Sequence, residues 1–403
     1  TDDKGYAGRY GLERQYQSDL GGKKGFFEGA FDVAGFWMAL GRRIVNPPKN
    51  GSDIVLTIDY NIQAKAEEVL VRVGDKWSAV SGTALIIDPM TGKILANASF
   101  PAFDPNQYGK EKDFSVFLNP SIESMYEFGS VIKPITMASG IEEKLVGPNT
   151  TYYDAGEVKF GSYTIRNFDT LAYQTQTMTQ VLEKSLNTGA VFVSRLLGHE
   201  RQIQYLQKFG FGEKTNVDLP GELEGNIRNL FSGKEIDFAT ASFGQGIAAT
   251  PLQLAMAISA IATGGMLKKP YVVEKIVDGA GNTVIKNSKD IRRVVSRETA
   301  ETVTKMLVSV VRNGFENYAG VKGYFVAGKT GTAQVPRKDG KGYSDNVIHT
   351  FVGYAPAFTP RFLILLQLNE PKGNRFAANT LTPAFHDLAQ YILNYYQVVP
   401  NEK

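Results

Sequence analysis

Hydrophobic residues recur at helical spacing in several parts of the chain. In segment 61–73, Ile62, Ala66, Val69 and Val73 fall on one face, because residues three or four apart are neighbours on a helix. This spacing predicts an amphipathic helix near the start of the main domain. Other segments with a helical pattern are 177–184, 190–197, 251–263 and 383–396.

Apolar runs with β-branched residues predict strands on both sides of the mostly helical segment 106–267. Runs 82–87 and 93–96 are joined by a turn in which Pro89 and Gly92 suit the required backbone angles, so they predict a hairpin. Later strand-like runs occupy 325–334, 350–354 and 362–368. The predicted fold class is α/β, in its α+β form: an antiparallel sheet flanked by helices, with an inserted helical subdomain. A cleft is expected where the helical part meets the sheet.

The start of the chain has a pattern of its own. Leu12, Tyr16 and Leu20, four residues apart, predict a short amphipathic helix that ends at the following pair of glycines. A proline-containing linker comes next. We predict a truncated, non-catalytic N-terminal module with its linker at 1–50, followed by the main domain at 51–403.

The most apolar run extends from Phe26 to Leu40. It has 15 residues and includes Glu28 and Asp32, whereas a membrane-spanning helix needs about 20 apolar residues. The run predicts buried or interfacial packing rather than a membrane span.

Composition narrows the classes of function. The 403 residues, 43% of them hydrophobic, suffice for a large core. The net charge is only +3, which argues against nucleic acid as a partner. There is no cysteine, and His199, His349 and His386 lack the spacing of metal ligands, so they are expected in the core or at the surface. We expect neither a metal nor another cofactor.

Ser130 and Lys133 are the first candidate catalytic residues. Residues three apart share a helical face, so Lys133 can accept the proton of the Ser130 hydroxyl. Lys133 must be neutral to do this, and burial beside a second cation such as Lys329 would lower its pKa accordingly. Gly129 before the serine and Pro134 after it fit a helix start, where backbone N–H groups can stabilise an oxyanion. A helix cap followed by a surface lysine would show the same spacing.

Ser185 and Asn187 form a Ser-x-Asn motif just before the predicted helix that begins at Ala190. The motif offers a hydroxyl and a carboxamide to the cleft. Serine and asparagine are also favoured helix caps, so the motif alone leaves a structural role open.

Residues 329–332, Lys-Thr-Gly-Thr, lie in a predicted strand. Side chains alternate along a strand, so Lys329 and Gly331 share a face, and Gly331 leaves room for a ligand backbone. Lys329 and the hydroxyls of Thr330 and Thr332 can bind a carboxylate. Lysine also guards ordinary edge strands, which is the alternative interpretation.

The three motifs in this order are typical of serine enzymes that acylate themselves on penicillin or on D-alanyl peptides. The sequence closely resembles the class B penicillin-binding proteins, the monofunctional peptidoglycan transpeptidases, and is more similar to the septal type than to the elongation type. It departs from them at Phe128, where the family commonly has proline. The other segments that carry the resemblance are Gly11-Leu12-Glu13 with Tyr16 and Leu20, 56–59, 88–96, 101–106, 219–222, 244–246, 250–253 and 351–356.

The resemblance implies a D,D-transpeptidase that attacks the D-Ala-D-Ala end of a stem peptide through Ser130 and passes the acyl group to an amine. Lys133 would be the base, with Ser185 and Asn187 as proton relay and substrate amide contact. Backbone N–H groups of Ser130 and Thr332 would form the oxyanion hole. The implied catalytic residues are Ser130, Lys133, Ser185, Asn187 and Lys329, and the implied substrate-binding residues are Thr330, Gly331 and Thr332.

The resemblance also implies a setting. The expected partners are peptidoglycan stem peptides, β-lactams that trap the acyl-enzyme, and a membrane glycosyltransferase with proteins of the division or elongation machinery. The expected location is extracytoplasmic, in the periplasm or at the outer face of the cell membrane. Family members are usually anchored by an N-terminal helix, which would precede Thr1 of this chain.

Two alternatives remain open. In a D,D-carboxypeptidase or β-lactamase, water would deacylate Ser130, although no acidic residue stands out as the base. A non-catalytic β-lactam sensor or cell-wall scaffold would keep the binding site for signalling or assembly. The segment around Gly11 argues against the sensor, since a sensor needs only the penicillin-binding domain.

Overall fold

A five-stranded antiparallel sheet lies at the centre of the larger of two structural units. The computed structural model describes residues 7–28, 33–34, 44–315, 317–337 and 342–402. In the described residues, the helices are α1 (Gly11–Gln15), α2 (Gln17–Leu20), α3 (Tyr60–Lys76), α4 (Pro120–Glu123), α5 (Lys133–Glu142), α6 (Met178–Glu183), α7 (Asn187–Lys208), α8 (Glu235–Ala241), α9 (Pro251–Ala262), α10 (Arg297–Asn313) and α11 (Ala377–Tyr395).

The strands cluster near the two ends of the chain, with short ones between. They are β1 (Phe26–Glu28), β2 (Ile44–Asn46), β3 (Asp53–Leu56), β4 (Ser81–Ile87), β5 (Ile94–Phe100), β6 (Thr151–Asp154), β7 (Glu157–Phe160), β8 (Tyr163–Arg166), β9 (Gln174–Thr177), β10 (Met266–Lys268), β11 (Val273–Val277), β12 (Thr283–Ile285), β13 (Asp290–Arg293), β14 (Ala327–Pro336), β15 (Tyr343–Ala355) and β16 (Phe362–Asn369).

The central sheet has the order β14-β15-β16-β4-β5, and every neighbouring pair is antiparallel. The predicted hairpin is confirmed as β4 and β5, and Gly92 in its turn has a φ of 83°. The three later strands join the same sheet, which confirms the predicted fold class. Because β14 is at one end of the order, the strand that carries the Lys-Thr-Gly motif is an edge strand.

Helices cover both faces of this sheet. Ile62 and Leu70 of α3 and Leu388 of α11 pack with Ile86 and Ile364 in one apolar cluster. Side chains alternate along a strand, so the neighbouring buried residues of β4 and β16 face the opposite side, where α9 packs. The sheet is therefore a rigid support for residues at its edge.

The segment 106–267 was predicted as mostly helical, and it also contains two small antiparallel pairs, β6 with β9 and β7 with β8. Each strand has four residues. In β6 the exposed and buried positions alternate only twice, and so short an alternation does not identify a strand in the sequence. These short strands lie beside the Ser-x-Asn motif.

The smaller unit comprises 1–57, 218–220 and 271–287 and holds the sheet β12-β11-β3. The single helix predicted around Tyr16 was wrong: Tyr16 has non-helical backbone angles and separates α1 from α2. Its buried hydroxyl donates to Asp218 at 2.9 Å and contacts Lys286.

Most of the apolar run from Phe26 to Leu40 lies outside the described residues, namely positions 29–32 and 35–40. As for membrane crossing, none of the helices in the described part of the chain combines the necessary length and apolarity.

Candidate active site

Ser130 lies in a short 3-10 turn, Gly129–Ile132, that leads directly into α5. Pro134 occupies the first turn of α5, where a missing N–H breaks no helical hydrogen bond. Ser130 is half-buried, while Val131 after it is fully buried. The predicted helix start is confirmed, with a tighter turn than expected before the α-helix.

Two glycines let other backbone segments approach this turn closely. A Cβ on Gly244 would lie 2.3 Å from the Gly129 carbonyl oxygen, and the Gly129 N–H donates to the Gly244 carbonyl at 3.1 Å. A Cβ on Gly331 would lie 2.3 Å from the carbonyl oxygen of Phe128. The space left by the missing side chain of Gly331 is therefore taken by Phe128. The turn is held between the loop 244–246 and strand β14.

The side chain of Lys133 joins the first motif to the second. Lys133 is only 1% exposed, and its Nζ donates to the Ser185 carbonyl oxygen at 2.5 Å. The same nitrogen lies 3.3 Å from Ser185 Oγ. A buried amine requires such polar partners. The structure thus brings together two residues that are 52 positions apart.

Ser185 lies in the link between α6 and α7. Its φ is 56°, in the left-handed region that glycine usually occupies at a helix end. The Leu186 N–H donates to the Val181 carbonyl at 2.9 Å, which completes the helix end. A serine in this conformation stores strain, a feature common at functional sites. Its carbonyl is the one that Lys133 contacts.

Asn187 is the first residue of α7, which starts three residues earlier than predicted. The side-chain Nδ2 donates to the Arg166 carbonyl oxygen at 2.8 Å, and the backbone N–H donates to Asn167 Oδ1 at 3.0 Å. The N-cap position is Leu186, so neither Ser185 nor Asn187 caps the helix. We call the segment Ser185–Asn187 with Arg166 and Asn167 the helical wall.

Residues 329–332 lie in edge strand β14, where Lys329 pairs with Val352 of β15. Lys329 is 1% exposed, and its Nζ lies 3.4 Å from Thr330 Oγ1. Gly331 shares the strand face of Lys329 and backs onto the Ser130 turn, so Lys329 extends from the same face. We call residues 329–332 the sheet wall.

His349 stands opposite Thr332 on β15 and ties the sheet to the start of α11. It is fully buried, with Nδ1 2.9 Å from Thr380 Oγ1 and Nε2 3.3 Å from the Arg375 carbonyl oxygen. Burial lowers the pKa of His349 to about 4. The Ala377 N–H donates to Thr332 Oγ1 at 3.2 Å. His349 is thus a core histidine next to the sheet wall.

Sequence reasoning missed a carboxyl close to the nucleophile candidate. Tyr343 donates its hydroxyl to Glu127 Oε2 at 2.8 Å, and the Gly246 N–H also bonds this carboxyl. Burial raises the pKa of Glu127, and burial with the nearby Glu127 charge raises the pKa of Tyr343. Only the position of Glu127, three residues before Ser130, could have drawn attention to it.

Three further side chains that the sequence did not single out lie next to the helical wall. Phe168, next to Asn167, meets Phe376 edge to face with 5.4 Å between ring centroids. The Arg375 guanidinium lies 4.9 Å from the centre of the Phe168 ring. This cluster links the helical wall to the segment that follows β16.

The site combines a half-buried serine at a helix start with the buried side chains of Lys133 and Lys329. A serine beside a base can form a covalent acyl intermediate, and a second cation can bind an anionic substrate group. In the part of the chain that the structure describes, no three potential metal ligands cluster.

The chain is similar to known proteins over most of its length. Residues 82–390 match the family model described as the penicillin binding protein transpeptidase domain. Stage V sporulation protein D of Bacillus subtilis (strain 168) is 36% identical over 381 residues, which cover 93% of this chain and 59% of that protein. The probable peptidoglycan D,D-transpeptidase PenA of Neisseria meningitidis serogroup A is 33% identical, and the aligned residues cover 88% of this chain and 59% of that protein. The chain therefore spans about three fifths of these relatives.

A solved structure agrees with this similarity. Penicillin binding protein 3 of Mycobacterium tuberculosis, complexed with ampicillin, superposes with a TM-score of 0.83 at 31% identity. The match covers 93% of this chain and 88% of that one.

Proposed function

The chain belongs to the penicillin-binding protein transpeptidase family, in its class B, and on this premise we propose that it is a peptidoglycan D,D-transpeptidase acting through an acyl-enzyme at Ser130. The observation that carries the proposal is the 2.5 Å contact between Lys133 Nζ and the Ser185 carbonyl oxygen. It places the second motif directly against the helix that follows Ser130.

In the first half-reaction, Ser130 Oγ attacks the carbonyl carbon of the penultimate D-alanine. As the Oγ–C bond forms, neutral Lys133 accepts the hydroxyl proton, and backbone N–H groups of Ser130 and Thr332 stabilise the oxyanion. The C–N bond to the terminal D-alanine then breaks, and its amine takes a proton through Ser185. The 3.3 Å separation between Lys133 Nζ and Ser185 Oγ supports this route.

In the second half-reaction, an amine of a neighbouring strand attacks the ester carbonyl. The new C–N bond forms, the C–Oγ bond breaks, and the proton lost by the amine returns to Ser130 Oγ through Lys133 and Ser185. A β-lactam enters by the same attack, but its leaving amine stays tethered to the acyl group and blocks the acceptor. The ampicillin complex of the solved relative supports this part of the proposal.

Four of the remaining motif residues bind substrate in this proposal, namely Lys329, Thr330, Thr332 and Asn187. Lys329, with the hydroxyls of Thr330 and Thr332, holds the terminal carboxylate, since a buried cation on an edge strand suits an anionic peptide end. Gly331 lets the strand approach the Ser130 turn. Asn187 contacts an amide of the donor peptide.

The setting of the reaction is also a proposal. We place the enzyme outside the cell membrane, anchored by a preceding helix and working with a membrane glycosyltransferase and other division proteins. The segments 354–356 and 369–373 resemble the septal group more than the elongation group. Peptidoglycan stem peptides and β-lactams are the expected ligands.

A mass-spectrometric adduct experiment tests the proposal. The wild-type chain should take one fluorescent penicillin on the peptide that contains Ser130, and Ser130→Ala should take none. Ser139→Ala is the matched control, since Ser139 is a buried serine on α5 whose hydroxyl donates to the Ile135 carbonyl of the same helix at 2.8 Å. Labelling that persists in Ser130→Ala would disprove the assignment.

The lifetime of the adduct separates the transpeptidase from its hydrolytic alternatives. We expect the penicilloyl adduct to outlast many minutes. Loss within minutes would favour a carboxypeptidase or β-lactamase. Amide formation from a D-Ala-D-Ala peptide and an amine acceptor, with D-alanine release, separates a catalyst from a sensor or a passive scaffold.

A further inference from the structure

The Ser-x-Asn motif lies at the start of α7. The N-terminus of this helix is capped by Asn167, which is outside the helix. The N-cap position is Leu186, whose side chain cannot accept a hydrogen bond. Instead, Asn167 Oδ1 accepts the N–H of Asn187 at 3.0 Å and that of Thr188 at 3.3 Å. Asn167 therefore satisfies N–H groups that the first turn of a helix leaves without a partner.

Asn167 is in turn held by Asp154. Both side chains are buried, with Asn167 2% exposed and Asp154 fully inaccessible. Asn167 Nδ2 donates to the two carboxylate oxygens at 3.1 and 2.9 Å and to the Leu171 carbonyl at 3.1 Å. With its nitrogen engaged in this way, the amide directs Oδ1 toward α7.

Asp154 also contacts α7 directly. The Thr188 hydroxyl donates to Asp154 Oδ1 at 2.7 Å, and the N–H groups of Gly156 and Tyr173 donate to the same carboxylate at 3.0 and 2.9 Å. A buried carboxylate needs several donors of this kind. Asp154 therefore reaches the helix start by two routes, through Thr188 and through Asn167.

The position of Asn187 affects the position of Ser185, only two residues earlier. The Asn187 side chain is itself attached to the Arg166 carbonyl at 2.8 Å, beside Asn167. Ser185 has a left-handed φ of 56° and presents its carbonyl to Lys133. A helix start that moved would carry both motif residues away from Lys133.

We propose that Asp154 and Asn167 are positioning residues for acylation, which hold the Ser-x-Asn motif against Lys133. This inference rests on the proposed transpeptidase function. Both residues act on the motif through the first turn of α7, so their role is to position it rather than to react.

Thr188 offers a matched pair of variants. Thr188→Val removes the hydroxyl at nearly constant volume, and Thr188→Ser keeps it. With a fluorescent penicillin, we expect the first-order acylation rate constant to fall about tenfold in Thr188→Val and to stay within about twofold in Thr188→Ser. The initial binding constant should change by less than about threefold in both, since the carboxylate-binding side is intact.

Ser194→Ala on the same helix controls for lost stability. The buried Ser194 hydroxyl donates to Gln202 at 2.6 Å, away from the motif. Its loss should lower the melting temperature while leaving acylation within about twofold of wild type. Equal acylation rates in Thr188→Val and Thr188→Ser would overturn the inference.

Asn167→Ala gives a readout that does not depend on penicillin. Amide hydrogen exchange at Asn187 and Thr188, followed by mass spectrometry, should become at least about tenfold faster, while the part of α7 beyond its non-helical residue Gly198 keeps its protection. Unchanged exchange at these two amides would refute the positioning role. If the wild-type chain took no penicillin label, the proposed function would fail, and the exchange result would still show separately whether Asn167 holds the start of α7.

Discussion

The helical wall and the sheet wall are held in place by different kinds of bond. At the helical wall, buried side chains do the positioning, with Asn167 capping α7 and Asp154 holding Asn167. At the sheet wall, a continuous backbone ladder with β15 positions Lys329 and its neighbours. One wall depends on single polar atoms and the other on repeated backbone bonds.

This difference determines how each wall can fail. A directional network with buried charge is sensitive to the loss of one hydroxyl or amide. A backbone ladder tolerates most changes of side chain. It does not tolerate added volume at Gly331, because this residue lies against the Phe128 carbonyl. Lys133 lies on the helix that follows the Ser130 turn and contacts Ser185 of the helical wall. Substitutions can therefore test each wall separately.

The largest effect is expected at Lys133. Lys133→Ala removes the proposed base, so the acylation rate constant should fall about 10³-fold, while initial β-lactam binding weakens far less. Stopped-flow measurement over a range of penicillin concentrations separates the two quantities. Lys184→Ala is the control, since Lys184 adjoins the motif but contacts Gln176 at 2.7 Å. An unchanged acylation rate in Lys133→Ala would show that another group is the base.

Acid should weaken the sheet wall through His349. Its pKa is about 4 in the folded protein, against an ordinary value of 6.5, so below pH 6.5 the unfolded chain binds a proton that the folded chain does not. Its contribution to stability is intact above pH 6.5 and declines toward pH 4, by about 3 kcal/mol in total.

The check is urea unfolding of wild type and His349→Gln between pH 7.5 and pH 4, a range that includes both pKa values. The difference in unfolding free energy between the two proteins should shrink as the pH falls. A difference that stays constant over this range would exclude His349 as the responsible group.

A smaller loss is expected at Gly331. Gly331→Ala forces a Cβ toward the Phe128 carbonyl, which should cost about 2 kcal/mol of stability and slow acylation because the Ser130 turn shifts. Gly109→Ala is the control, since a Cβ there meets nothing within 4 Å. Thermal unfolding and penicillin labelling measure the two effects. Wild-type behaviour of Gly331→Ala would mean that the turn and the strand can separate freely.

Local patterns predicted the fold well wherever an element was long. The hairpin of β4 and β5, the helix start at Ser130 and the strand around Lys329 follow from spacing and turn residues within a few positions. The short strands β6 to β9 and the break at Tyr16 escaped prediction. Four-residue strands carry too little periodicity, and Tyr16 bonds with Asp218, a residue far along the chain.

The site could be predicted as a set of residues but not as a set of contacts. The order of the three motifs and the resemblance to the class B penicillin-binding proteins identified Ser130, Lys133 and Lys329. The network of Asp154 and Asn167 could not be inferred, because buried aspartate and asparagine carry no sequence signal of their own and their partners are decided by folding. The same holds for Glu127, whose partner Tyr343 is 216 positions away.

The glycine contacts around Ser130 have a consequence for biosynthesis. The turn is enclosed by Gly244 and Gly331, which come from distant parts of the chain, so the reactive geometry depends on contacts of high sequence separation. A chain still emerging from the ribosome, or one truncated before β14, would contain Ser130 without the strand that encloses its turn. Reaction with penicillin would then report completed folding, and the labelled fraction of a preparation would measure how much of it has reached the native state.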